Sequence, residues 1–322
     1  MEIGAEAATL ASQGYREWSA VPRARADCFN RITRVSRTAA ILSDVKRIRP
    51  ESHWPESWRK SYEYDLLEIY GQISNRGYCY AYDNRFRHTI GLLSGALAPA
   101  ARILDIGAAQ GNFSLRLAEM GFEVTWNDLR GELADYVRLK HEHGTLHFAA
   151  GNAFDLQFPQ PFDAVLITEI IEHVAHPDLF LARVAQLLKP GGYIVMTTPN
   201  GGYFRNRLPR FSDCPDPSVY EGRQFQPDAD GHIFLLHYDE VRQLAGKAGL
   251  AVDKLQLFTN SLTNGHLKLG HALKILPRSL VEEIEKLTGR LPHKIANRLM
   301  VQMAVRLQKS LTLPDAALAT AA

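Results

Sequence analysis

Cysteine is scarce, charge is balanced, and no long apolar run is present. The three cysteines, Cys28, Cys79 and Cys214, are odd in number and far apart in 322 residues. This argues against a disulfide framework and suits a reducing compartment. Lys and Arg number 37 against 35 Asp and Glu, a formal net charge of +2, so no global field demands nucleic acid or an anionic membrane. No uninterrupted apolar stretch approaches the roughly 18–20 residues of a membrane span, and the first residues lack the apolar core of a secretory signal. Internal repeats and low-complexity tracts are missing too, apart from an alanine-rich tail after Pro314. The expectation these absences leave is a cytoplasmic globular protein. With 46% apolar and 22% charged residues the composition is that of ordinary soluble domains. The length suits one large α/β domain with extensions, or two small domains.

Residues 1 to about 50 show little periodicity, and their arginines (Arg16, Arg23, Arg25, Arg31, Arg34, Arg37) are scattered. A loosely ordered arm or short packed helices would both fit. From residue 54 to 98 the pattern turns helical, with Tyr62, Leu66, Ile69 and Tyr70, and again Phe86, Ile90, Leu93 and Leu97, at helix spacing. An alternating region follows. Strands are expected at 102–106, 123–127, 146–149, 162–168, 193–197, 251–258 and 299–308, and helices at 113–120, 131–143, 177–188 and 238–248. Such alternation implies a mostly parallel sheet covered on both faces. Lys189-Pro190-Gly191-Gly192 reads as the turn between a helix and the next strand. The division expected is an arm and helical cap at 1–98, a main domain at 99–310 and a flexible tail at 311–322. Residues 200–236, rich in Pro, Gly and Asp, are too long for an ordinary connection and read as a lid; residues 264–297 read as a basic helical insertion.

The segment 103–114, ILDIGAAQGNFS, is the most informative. It reads as a buried strand that breaks into a glycine-bearing loop and opens a helix at Phe113. Gly107 and Gly111 carry no Cβ, so backbone there can approach a ligand closely, and the first free N–H groups of the helix face the same crevice. The dinucleotide fingerprint counted from Gly107 needs glycine at 109 and 112, where the chain has Ala109 and Asn112; this disfavours a nicotinamide dehydrogenase. Asp128 stands just past the second strand, 17 residues beyond Gly111. An acid at this place in a doubly wound sheet accepts hydrogen bonds from ribose hydroxyls; the alternative is a cap on the following helix.

Asp105 before the first glycine, with Gly111 four residues after it, resembles motif I of the class I S-adenosylmethionine-dependent methyltransferases. GNAF at 151–154, FDAVLITEIIEHV at 162–174, LLKPGG at 187–192 and TTPN at 197–200 resemble the later motifs in the family's order. The resemblance covers residues 102 to about 258. It implies an α/β, Rossmann-like doubly wound sheet of seven strands with the last one antiparallel, here with an N-terminal helical extension. It also implies S-adenosylmethionine as methyl donor. Carried over residue by residue, Asp105, Gly107, Ala109 and Gly111 form the donor loop, Asp128 takes the ribose, Asn152 and Ala153 lie at the adenine, and Glu169 sits near the cofactor. Two positions depart from the pattern. Asn152 replaces the usual acid, though its carbonyl oxygen still accepts a hydrogen bond, and Ala109 stands where the family usually has a third glycine.

The fold sets the donor but not the acceptor. If a helical turn began at Glu169, then Glu169, Glu172 and His173 would share one face at the carboxyl end of the fourth strand. Two carboxylates and an imidazole can bind Mg²⁺, Mn²⁺ or Zn²⁺, with His232 as a further donor. This is similar to two branches of the family, the ubiquinone-biosynthesis O-methyltransferases and the small-RNA 3′-end 2′-O-methyltransferases. Both methylate one of two vicinal hydroxyls, which a metal can chelate and acidify. The alternatives are that His173, with Glu172, is a metal-free general base, or that the cluster only packs. The RNA branch follows its last histidine with Phe-Glu-Trp, whereas IFLLH stands here at 233–237. With near-neutral charge, that favours a small-molecule acceptor over RNA. A non-catalytic S-adenosylmethionine-binding protein is the reading from another class. Arg205 and Arg207 would grip a carboxylate or phosphate on the acceptor, or pair with Asp213, Asp216 and Glu221. The aromatic run Tyr78–Tyr82 would cover the cofactor or join the core. Lys268, Lys274, Arg278, Lys286, Arg290, Lys294 and Arg298 read as a solvated basic face.

Overall fold

A computed structural model describes residues 46–72, 74–224, 231–264, 267 and 270–311. The arm expected before residue 46, the tail after 311, part of the expected lid (225–230) and Lys268 lie outside the described residues.

Two helices come first, α1 (Glu56–Glu68) and α2 (Arg76–Ser94). The Asn75 side chain accepts the N–H of Tyr78 and so starts α2. The alternating region then runs β1 (Arg102–Ile106), α3 (Asn112–Glu119), β2 (Glu123–Asp128), α4 (Leu133–Lys140), β3 (Thr145–Ala150) and β4 (Phe162–Thr168). A single 3₁₀ turn (Ile171–His173) leads to α5 (Pro177–Gln186), which opens on a proline at its first position. After β5 (Leu188–Pro199) come α6 (Tyr238–Lys247) and β6 (Leu250–Asn260). The expected helical insertion forms α7 (Gly270–Ile275), α8 (Arg278–Thr288) and α9 (His293–Leu299), and β7 (Met300–Lys309) closes the sheet.

The sheet has seven strands in the order β3-β2-β1-β4-β5-β7-β6. Pairs among β1 to β5 are parallel, and β7 inserts antiparallel between β5 and β6. The chain reverses its direction of travel across the sheet between β1 and β4. Ligands in such sheets bind at that switch point, outside the strands' carboxyl ends. The strand cores are aliphatic because both faces are covered. Ala164 and Leu166 of β4 point into one cluster with Phe86, Phe113, Leu117 and Val137, while Val165 and Ile167 point into another with Leu181, Val184 and Val241. That is the period of two along a strand.

α1 is fastened by a third cluster and by buried polar contacts. Trp54 meets Trp58, Tyr62 and Tyr136 edge to face at 5.7–5.8 Å. Asp65, fully buried, accepts from Lys140 Nζ at 2.7 Å, Tyr136 Oη at 2.6 Å and Asn112 Nδ2 at 2.9 Å. Glu68 accepts from Tyr78 Oη, Gln110 and Asn112. The cap is thereby tied directly to the loop after β1.

Two expectations are corrected. β5 begins at Leu188, not at residue 193: Leu188 pairs with Phe162 and Tyr193 with Ala164, and the extra residues form an irregularity. Pro190 is tolerated there because pairing with β7 begins only at Tyr193, and Gly191 supplies a positive φ of 76°. α4 spans Leu133–Lys140 rather than 131–143, since His141 is already extended. Within 200–236 the described residues form short 3₁₀ turns (Phe211–Asp213, Pro217–Arg223). Among the described residues no helix is long and apolar enough to cross a membrane.

Candidate functional site

The loop after β1 keeps its shape because two positions demand glycine. Gly107 and Gly111 have φ of 64° and 74°. A Cβ on Gly107 would stand 2.7 Å from Ile170 Cδ1, and one on Gly111 2.8 Å from Val137 Cγ1. Ala109 is also left-handed, with φ 45°, at a cost of about 1 kcal/mol or more for an L-residue. Its N–H donates to Asp128 Oδ2 at 2.8 Å, and its carbonyl accepts from Trp126 Nε1 at 3.0 Å. The end of β2 holds the loop open. Behind it, Asp105 is buried and accepts from Ser114 Oγ at 2.6 Å. Burial pushes its carboxyl up to about 7; the Ser114 hydroxyl opposes this and Asp128 adds to it.

Asp128 does not cap α4. Its Oδ1 accepts from Arg130 N at 2.9 Å and Arg130 Nε at 3.0 Å, and α4 starts after Glu132 with no side-chain cap. Asn152, exposed after β3, accepts from Phe154 N at 3.2 Å and donates to Asp155 Oδ2 at 2.8 Å. Its carbonyl oxygen keeps a second lone pair. Ala153 is buried beside it.

Glu169 corrects the expectation of a helical face. It is left-handed, with φ 53°, and the 3₁₀ turn starts only at Ile171. The chain leaving β4 turns back over the loop, so that Ile170 covers Gly107. The Glu169 carboxylate meets Arg85 Nη1 at 3.1 Å and Gln302 Nε2 at 3.3 Å through Oε2, its Oε1 is buried with no hydrogen-bond partner among the described residues, and its charge still reaches Glu172. Glu172, His173 and His232 do come together, each with a donor atom within 4.8 Å of the others. Ile233 N donates to the Glu172 carbonyl at 2.7 Å, and that backbone bond carries His232 to the strand end. The two imidazoles lie 5.0 Å apart. Glu172 is fully buried; Oε2 accepts from Thr198 Oγ1 at 3.0 Å, and Oε1 has no hydrogen-bond partner among the described residues. Burial, and then the Glu169 charge, hold its carboxyl well above the usual range.

Three neighbours were missed in the sequence: Arg85, Glu68 and Gln302. Burial works against the Arg85 charge, but Glu169 and Glu68 outweigh it and raise its pKa. The hint in the sequence was a cation three residues after Tyr82 and next to Phe86 on α2. Of the aromatic run, Tyr82 joins the core and Tyr78 serves Glu68. Arg205 and Arg207 are exposed on the segment leaving β5.

A family model described as a methyltransferase domain matches residues 78–255, more than half of the chain. The ubiquinone biosynthesis O-methyltransferase of Xanthomonas campestris pv. campestris (strain B100) is 38% identical over 106 residues, 32% of this chain and 44% of that protein. The protein of the same name from Xanthomonas axonopodis pv. citri (strain 306) is 39% identical over 113 residues, 34% of this chain and 47% of that one. The chain thus spans less than half the length of these curated relatives. A putative sarcosine dimethylglycine methyltransferase from Galdieria sulphuraria is similar in structure, with a TM-score of 0.48 at 14% identity, covering 80% of this chain and 100% of that one. The extent of the family match, on a seven-stranded sheet whose last strand is antiparallel, makes the chain a member of the class I S-adenosylmethionine-dependent methyltransferases.

Proposed function

We propose that the chain methylates a hydroxyl of a small molecule that carries two neighbouring hydroxyls, with a divalent cation held by Glu172, His173 and His232. The observation that carries this reading is that donor atoms of those three residues lie within 4.8 Å of one another, and that the buried Glu172 carboxylate has one oxygen, Oε1, without a hydrogen-bond partner among the described residues. A buried carboxylate left uncompensated is costly, and a cation or a proton at that oxygen removes the cost. The name of the curated relatives, ubiquinone biosynthesis O-methyltransferase, supports oxygen as the nucleophile.

On the donor side, the backbone from Gly107 through Ala109 to Gly111 lines the crevice, and Asp105 steadies the start of α3 through Ser114. Asp128 accepts the ribose hydroxyls, with Arg130 giving up part of its contact. Asn152 accepts from the adenine amino group beside Ala153. Arg85 is a cation among acids, facing Glu169 and felt by Glu68 and Glu172. It suits the carboxylate of the donor's methionine, while Glu169 suits the positive end.

With Glu169 engaged by Arg85 and Gln302, the donor set is one carboxylate and two imidazoles. That set suits Mn²⁺, Fe²⁺ or Zn²⁺ better than Mg²⁺. Such a cation would draw two hydroxyls together and lower the pKa of the one to be methylated. Thr198 aims the Glu172 carboxylate by holding its other oxygen, and the chain's remaining task is to align nucleophile and methyl group. The test is transfer of labelled methyl to catechol and 3,4-dihydroxybenzoate. Label should appear on oxygen, vanish after exhaustive chelation and return with Mn²⁺ or Zn²⁺. Glu172→Gln should lower the rate on the order of 100-fold or more. Methylation at nitrogen or carbon, or turnover that survives chelation, would overturn the reading.

A further inference from the structure

A cavity of about 650 Å³ opens between α2, the edge strand β6 and the α8–α9 segment. Its volume lies in the range of small-molecule sites, about 300–1,000 Å³. Asn84, Arg87 and His88 of α2 line it, whereas Arg85 on the same helix turns to Glu169. The outer wall comes from residues beyond 255, where the match to the shared methyltransferase domain ends.

Its chemistry is built from two parts. One is a flat uncharged surface: the His88 ring stacks on Phe258 with centroids 4.5 Å apart, and His88 Nδ1 is 2.6 Å from Gln256 Oε1. Burial holds the His88 pKa below its ordinary value, towards the neutral ring. The other part is cationic. Arg87 donates to the Asp83 carbonyl at 3.3 Å and to Asn84 Oδ1 at 2.6 Å, two neutral acceptors that fix its fork, and its charge is felt by the Asp83 and Glu285 carboxylates. Arg290 also lines the space, as does Lys286, which is already paired with Glu283. The two acids of the lining already have partners. Glu282 accepts from Arg278 Nε at 2.9 Å; Glu285 accepts from Asn260 N at 3.1 Å and from Thr263 Oγ1. Burial also raises the Glu285 pKa, towards its neutral form.

We propose that this cavity is a second ligand site, for a small anion with a flat unsaturated body, bearing a carboxylate or a phosphate ester. Arg87 and Arg290 take the anionic group, and the ring lies against His88, which Phe258 backs from behind. A planar guanidinium fork matches either oxyanion, and an aromatic ring gains from offset stacking on its like. The proposal is independent of the donor and metal assignments.

Titration calorimetry on protein saturated with S-adenosylhomocysteine tests it, because the donor crevice is then filled. Benzoate, phenyl phosphate and ring-free pyrophosphate serve as probes; the first two separate carboxylate from phosphate ester, and the third measures what the ring adds. At least one ring-bearing probe should bind, more tightly than pyrophosphate. In Arg87→Met/Arg290→Met its affinity should fall tenfold or more, while S-adenosylhomocysteine affinity stays unchanged. Arg290→Met alone, at an exposed position, should lower it about threefold with the fold intact. No binding of either ring-bearing probe, or binding undiminished in both variants, would overturn the proposal.

Discussion

At the scale of single residues, the proposed donor side rests on Asp128. Its carboxylate is buried, accepts from the Ala109 N–H and meets Arg130. Asp128→Ala should weaken S-adenosylhomocysteine binding by about 2–3 kcal/mol, the worth of charged hydrogen bonds to two hydroxyls; unchanged affinity by calorimetry would misplace the ribose. Asp105 gives a pH signature. Its folded pKa of about 7 exceeds the ordinary 3.8, so the folded state favours the protonated form. That contribution is full below about pH 4 and is lost as pH rises towards 7. Asp105→Asn should therefore gain on wild type by about 2–3 kcal/mol in urea unfolding between pH 5 and pH 8; a difference independent of pH would contradict it. Gly107, Gly111 and Asp128 could be read from spacing because strand, turn and acid recur at fixed offsets. Glu169 could not. Nothing in its residue type announces φ 53°, and its partners Arg85 and Gln302 are brought to it by α2 and β7, remote in sequence.

Whole elements were more legible than their ends. Aliphatic strand runs located every strand of the sheet, because burial on both faces imposes that pattern. The Pro-Gly-Gly run after Lys189 hid the start of β5, since a turn signal and a strand irregularity use the same residues. The docking of α1 was hidden too. It rests on Asp65, Glu68, Asn112 and Lys140, polar residues that a sequence reader assigns to the surface. Lys140→Met would leave Asp65 buried without its cation, 2.7 Å away in the native pair, and should cost about 3–5 kcal/mol. The double variant Asp65→Asn/Lys140→Met should recover much of that loss, because no unpaired charge remains. A single variant costing under about 1 kcal/mol, or a double variant no better than the single, would show that the pair does not fasten the cap.

For the molecule as a whole, the sheet order carries the functional argument. Reversal between β1 and β4 brings the glycine loop, Asp128, Asn152 and the Glu172 turn to one edge. The insertion after β5 then returns His232 to that edge through the Ile233–Glu172 backbone bond. The proposed donor site and the proposed metal triad are thus assembled by the same topology. The most direct measurement is Mn²⁺ uptake followed by electron paramagnetic resonance, on wild type and Glu172→Gln, both holding S-adenosylhomocysteine. One Mn²⁺ should bind per wild-type chain, and the variant should lose it while keeping its hold on S-adenosylhomocysteine. Failure of the wild type to take up the ion, or equal uptake by the variant, would contradict a metal centre at Glu172, His173 and His232.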